Sequence, residues 1–169
     1  MMILAIVTLL FSFLVQGIIS NYIGYSINHL SWFLTIYPLI NLLILIPYFQ
    51  EQKKNLLLVI VFGLFMDIVY TNTFILNACL FTLIYYFSKC FHFFFPYNLF
   101  TVNISNLLSI FLYHIISFLF LSLLRYDHYS FMVLVKMLTH SVVMTIIYTS
   151  IMYLLIHFIY DKLDLKEIK

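Results

Sequence analysis

Residues 1–50 contain no Asp, Glu, Lys or Arg. A water-soluble domain interrupts its core pattern with charge every few residues, and this run exceeds twice the roughly 20 residues that an α-helix needs to cross a bilayer. The rest of the chain keeps the pattern. Of 169 residues, 65% are hydrophobic and 8% are charged, against roughly 25% charged in an average globular chain. Water is therefore not the main solvent for the surface of this fold. The segment before Gln16 has neither the basic flank nor the small-residue cleavage site of a signal peptide, and reads as a retained helix.

Breaking the chain at its charges and turn residues leaves apolar segments near 2–20, 31–49, 55–70, 73–88, 99–124 and 131–160. This predicts an all-α, polytopic membrane bundle of about six transmembrane helices, a single domain over 1–160 with a tail at 161–169. The third and fourth segments are joined by Tyr70-Thr71-Asn72-Thr73, too short for anything but a tight reversal, so they form an antiparallel helical hairpin. The alternative for these two short segments is a re-entrant pair. No two glycines stand four apart, so GxxxG contacts are excluded, and packing falls to large side chains, Ser and Asn.

The few charges orient the bundle. With six spans, one side receives both termini and the loops 50–55 and 88–98, and with them Lys53, Lys54, Lys89, Lys162, Lys166 and Lys169. The opposite side claims only Arg125 and Lys136. The positive-inside rule then places both termini in the cytoplasm; five spans would divide the lysines between the two sides. The aromatic run from Phe91 to Tyr97, beside Lys89, reads as a belt at the cytoplasmic headgroups.

Asp67 is the only acidic side chain within the expected spans. A carboxylate at that depth needs pairing, protonation or a polar cavity. Gly63, four residues earlier, shares its helix face, and Asn77 lies at a comparable depth on the next helix. Two readings stay open: a polar site for a partner helix or ligand, or a clasp that holds the hairpin together. Lys136 and His140 share a face at the outer end of the last span. An Asp67–Lys136 ion pair is one reading of that face, and a lysine snorkelling to the outer headgroups is the other.

Asn103, Asn106 and Ser109 share a face of the fifth span and, like Gln16 in the first, read as hydrogen-bond partners between helices. The six histidines form no HxxxH or HExxH pattern, and Cys79 and Cys90 lie roughly 16 Å apart along one helix, too far for a disulfide. Catalytic groups, metal or other cofactors and a basic surface for nucleic acid are not expected from this inventory.

From Gly63 to Ala78 the sequence Gly-Leu-Phe-Met-Asp-Ile-Val-Tyr-Thr-Asn-Thr-Phe-Ile-Leu-Asn-Ala resembles the signature of the rod shape-determining protein MreD family, in its Bacillota-like form. That signature is G-x-x-x-D, a short turn of small residues, then G-hydrophobic-polar-A opening the next helix. Gly63, Asp67, Asn77 and Ala78 match it, whereas Thr71 or Asn72 replaces the turn glycine and Ile75 the glycine opening the helix. The resemblance implies a non-catalytic scaffold subunit of the cell elongation machinery in the bacterial cytoplasmic membrane. Its partners would be a bitopic MreC-like protein and, indirectly, an MreB-like filament and the peptidoglycan synthases. It also implies a likeness to the six-helix S components of energy-coupling-factor transporters, so the alternative function is vitamin capture. Few convergent polar groups are available for such a ligand, and the alanine-rich face for an energising subunit is missing, since only Ala5 lies in the first span.

Overall fold

The computed structural model describes residues 2–22, 36–48, 52–71, 75–123 and 131–162. All regular structure among them is helical: α1 (Met2–Tyr22), α2 (Tyr37–Ile44), α3 (Gln52–Met66), α4 (Leu76–Phe94), α5 (Leu99–Leu123) and α6 (Phe131–Lys162). A 3-10 turn, Ile46–Tyr48, follows α2, and a π-helical turn, Asp67–Thr71, prolongs α3. The all-α class is therefore what the chain forms. Residues 99–120 of α5 and 134–162 of α6 are each long and apolar enough to cross a membrane. Between Lys136 and Asp161, α6 carries no charged side chain, a length of roughly 36 Å at about 1.5 Å per residue.

The second apolar segment takes a particular form. Its described part is the eight-residue α2, about 12 Å long, and the 3-10 turn behind it; positions 31–35 and 49 lie outside the described residues. Every residue of α2 is buried, and α2 touches α1, α3, α4, α5 and α6. A helix in that position exposes both unsatisfied ends of its backbone to an interior without bulk water. Neighbouring helices supply the partners. The Tyr37 N–H donates to Gln16 Oε1 of α1 at 3.1 Å, and Pro38 in the same first turn has no N–H to satisfy. At the other end the Tyr97 hydroxyl donates to the Ile44 carbonyl at 2.6 Å. Midway, Asn41 Nδ2 donates to the Thr8 carbonyl of α1 at 3.2 Å.

The remaining helices are tied in the same way. Ser88 of α4 and Ser105 of α5 are 3.0 Å apart, oxygen to oxygen, while Asn103 and Asn106 of α5 donate to Ser150 and Thr149 of α6 at 3.1 and 3.3 Å. Between α4 and α5 the chain turns through Asn98, where a reciprocal capping box starts α5. The Thr101 N–H donates to Asn98 Oδ1 at 3.0 Å and the Asn98 N–H to Thr101 Oγ1 at 3.1 Å. Tyr97, read from the sequence as one of a belt of headgroup aromatics, is thus also a cap for α2.

Polarity across the bundle runs opposite to that of a water-soluble fold. Ser12, Asn41, Asp67, Asn77, Asn106, Ser141 and Thr149 are all at or below 1% exposure. The outer faces carry Val7, Phe11, Leu14 and Ile18 on α1, and Ile147, Ile151, Leu154 and Phe158 on α6, each about half exposed or more. Soluble monomers rarely display apolar patches of that extent, and lipid is the solvent that suits them.

Removing the α2 cap tests this packing. Tyr97→Phe is expected to cost about 1 kcal/mol, seen as a lower thermal midpoint in detergent, whereas Tyr86→Phe, at an exposed position of α4, leaves the midpoint unchanged.

Candidate functional site: the α3–α4 clasp

The hairpin of α3 and α4 is built on a close approach of two backbones. Gly63 is buried in α3, and a Cβ added there would lie 2.5 Å from Ala78 Cα, 2.9 Å from Ala78 N and 3.1 Å from the Asn77 carbonyl oxygen. Any side chain at 63 would therefore collide with the α4 backbone itself. One turn further along, the same face presents Asp67 to the first turn of α4.

Asp67 meets a helix end that cannot cap itself. The residue preceding α4 is Ile75, whose side chain offers no acceptor, and no side-chain bond of its own closes that end. Asp67 supplies what a capping residue normally supplies. The Asn77 N–H and Asn77 Nδ2 donate to Oδ1 at 2.9 and 3.0 Å, and the Ala78 N–H donates to Oδ2 at 3.2 Å. The Tyr113 hydroxyl of α5 donates in turn to Asn77 Oδ1. A carboxylate 1% exposed is costly in an apolar medium. Three donors and the positive end of the α4 dipole offset that cost.

The backbone around the clasp is unusual on both sides. The π-helical turn begins at Asp67 itself; such turns are rare and shift the residues after them around the helix. Tyr70, inside the turn, reaches α1 and donates to the Phe13 carbonyl at 2.8 Å. Gly17 leaves room for it, since a Cβ there would lie 2.8 Å from the Tyr70 hydroxyl. Across the turn, Ile75 has φ 65° and ψ −2°, the left-handed region that costs a β-branched residue roughly 1–2 kcal/mol.

Of the five site residues expected from the sequence, the structure brings three together: Gly63, Asp67 and Asn77. Lys136 is exposed on α6 and forms no ion pair with the buried Asp67; this corrects the ion-pair reading. The carboxylate's donors come instead from the backbone and side chain of α4, because α3 and α4 pack closely enough at Gly63 to bring a helix end within reach. The His140 side chain lies outside the described residues. Gln16, Asn103 and Asn106 act as hydrogen-bond partners between helices, while Ser109 is buried in α5 with no partner for its hydroxyl among the described residues. Cys79 and Cys90 are free thiols on exposed positions of α4.

Tyr113 was missed by the sequence reading, although it falls four residues after Ser109 on the polar face of α5. An aromatic hydroxyl in an aromatic-rich span gives little signal. Chemically, the arrangement is an acceptor site that holds a helix end, with two donors on Oδ1 and one on Oδ2. The carboxylate oxygens are aimed at N–H donors, and no group of three His, Cys, Asp or Glu side chains gathers among the described residues. Compared with protein-family models, characterised proteins and solved structures, the chain matches none.

Two sets of variants test the clasp. Asp67→Asn sets an NH2 group against backbone donors and is expected to destabilise by about 1.5–3 kcal/mol. Gly63→Ala forces α3 and α4 apart and lowers the thermal midpoint too, and the two losses combine less than additively because they break one contact. Ile75→Gly is expected to raise the midpoint, worth about 1 kcal/mol, because glycine adopts the left-handed backbone without a Cβ penalty. An unchanged or lower midpoint for Ile75→Gly would contradict the strain assigned to that residue.

Proposed function

We propose that this chain is a non-catalytic, multi-pass scaffold of the bacterial cytoplasmic membrane, an MreD-like subunit of the machinery that elongates rod-shaped cells. Gly63, Asp67, Asn77 and Ala78, the positions on which the resemblance rests, are the residues that meet in the α3–α4 clasp. Ile75, standing where the family pattern carries glycine, has the backbone conformation that favours glycine. A sequence pattern and a three-dimensional contact thus coincide on the same few residues, and that coincidence carries the reading.

In this proposal the chain crosses the membrane six times with both termini in the cytoplasm, and in the second crossing the helix α2 covers only about 12 Å of the thickness. α3 with its π-turn runs over residues 52–71 and α4 over Leu76–Phe94, each roughly 28–30 Å long, close to the hydrocarbon thickness and long enough to cross rather than re-enter. Lys136 then sits near the outer headgroups and Asp161 and Lys162 near the inner ones. The three donors that α4 places on Asp67 support a structural role for it: it locks a hairpin whose outer surface is left to lipid and to a single-span MreC-like partner. Through that partner the chain acts on an MreB-like filament inside and on peptidoglycan synthases outside.

Depletion of the protein in its native rod-shaped host is expected to give round cells, and affinity purification from native membranes to recover a bitopic partner. Rods that keep their shape on depletion would defeat the scaffold. So would a small molecule retained stoichiometrically by the purified chain, which would favour solute capture. Orientation is read separately: Lys53→Cys in a background lacking Cys79 and Cys90 is expected to be blocked only by maleimides that enter the cytoplasm.

A further inference from the structure

The contacts between helices also fix how far along the bundle each charge lies. Gly63 of α3 faces Ala78 of α4, and the antiparallel course of the hairpin then brings Lys54, in the first turn of α3, level with Ser88 and Lys89 of α4. Ser88 meets Ser105 of α5, and Asn103 of α5 meets Ser150 of α6. Lys54, Lys89 and Ser150 therefore stand at one level of the bundle. On α6 the stretch without charge runs on to Asp161, eleven residues beyond Ser150, which is roughly 16 Å further along that helix.

The outer ends do not repeat this offset. Tyr113 of α5 meets Asn77 at the start of α4. From the Asn106–Thr149 contact, the antiparallel course of α6 puts Lys136 about one and a half turns outward of Tyr113. The end of the π-turn at Thr71 and the start of α4 at Leu76 bracket that same level. Apart from the buried Asp67, the hairpin's stretch without charge is thus roughly 20–25 Å, from Lys54 to Thr71 and from Leu76 to Lys89, against roughly 36 Å on α6. A typical hydrocarbon core, about 30 Å, lies between the two.

Tilting the bundle does not reconcile these lengths, because a tilt shifts both ends of the hairpin relative to α6 and only the inner ends differ. Snorkelling serves Lys54 but not Lys89. Each Cα–Cβ bond of a helix leans toward its N-terminus, which is the cytoplasmic end of α3 and the outer end of α4, so Lys89 sets out away from the inner headgroups. Beyond it, the exposed Phe93 and Phe94 suit headgroup depth. On α6, across α5 from the hairpin, the exposed residues between Ser150 and Asp161 include Ile151, Leu154 and Phe158, which suit hydrocarbon.

We infer that the bilayer is thinned where it meets the α3–α4 hairpin, with its cytoplasmic headgroups drawn in to Lys54 and Lys89, while around α6 it keeps its full thickness. Thinning is one of the ways in which a bilayer meets a short apolar stretch. The lipid that fits the hairpin face is one with shortened or disordered acyl chains. This step in thickness rests on the six-span orientation proposed above.

The test is nitroxide labelling of the full chain in vesicles of palmitoyl-oleoyl phosphatidylethanolamine and phosphatidylglycerol. Depth is read from power saturation by oxygen against a water-soluble nickel chelate. In a background lacking Cys79 and Cys90, the inner pair is Tyr86→Cys and Ile147→Cys and the outer pair is Ile68→Cys and Val135→Cys; each pair shares a level of the bundle, and all four positions are exposed. The label at 86 is expected to lie roughly 10 Å nearer to headgroups than the label at 147, with the outer pair equally deep. An inner pair of equal depth overturns the proposal. So does an outer pair offset by a similar amount in the opposite sense, the mark of a tilted bundle in a flat bilayer. A label at Leu83, midway between Leu76 and Lys89, separates the two readings. If it is no deeper than the label at 86, the hairpin does not cross, and the six-span reading falls together with the thinning; if it is deeper and the inner pair is equal, the thinning alone falls.

Discussion

The whole arrangement depends on one constraint: helix ends buried away from water must find hydrogen-bond partners inside the protein. α4 is preceded by an isoleucine, Ile75, that cannot cap it, and Asp67, at the end of the neighbouring helix, takes over that function. α2 is buried from end to end and borrows Gln16 for its first turn and Tyr97 for its last. In each case a polar residue isolated in an apolar stretch serves the backbone of a different helix. Such ties are directional, so they hold the relative placement of helices where apolar contact alone would allow sliding.

Close approach is the second requirement. A chain with three glycines and two alanines has little freedom to bring helix backbones together. It spends Gly63 and Ala78 at one place, opposite each other, and Gly17 at another, beneath the Tyr70 hydroxyl. The clasp is the product of both requirements. Gly63 brings the α4 end within reach, and Asp67 then closes it. The π-turn and the left-handed Ile75 on either side of the reversal are the backbone irregularities that accompany so tight a junction.

This view changes what a lone membrane carboxylate means here. From the sequence Asp67 reads either as a polar site for a partner helix or ligand or as a clasp of the hairpin, and in the structure three donors from α4 converge on its oxygens. Its hydrogen bonds hold the opening of α4 against α3. Much of this was legible beforehand. The helical class and the hairpin follow from apolar run lengths and a short turn; Asp67, Asn77 and Gly63 stand out because polar and small residues are so scarce. The hydrogen-bonding roles of Gln16, Asn103 and Asn106 were legible for the same reason. Of the two readings open for Lys136, pairing with Asp67 is the one that its exposed position on α6 does not bear out. Tyr113 and Tyr97 carried no warning, since 14 tyrosines make any one of them inconspicuous.

By itself the sequence determined that this chain is helical, that lipid suits its surface, and that Asp67 required partners, since charge and backbone groups in an apolar medium tolerate few alternatives. Only the tertiary structure decided which partners those are: the buried backbone N–H groups of Asn77 and Ala78 at the start of α4 rather than Lys136, with Tyr113 behind them. It alone placed the short α2 at the centre of the bundle. The reason is physical. Where lipid and protein neighbours are equally apolar, hydrophobic periodicity no longer tells a helix which way to face, and the facing is settled by a few polar contacts between residues far apart in the chain.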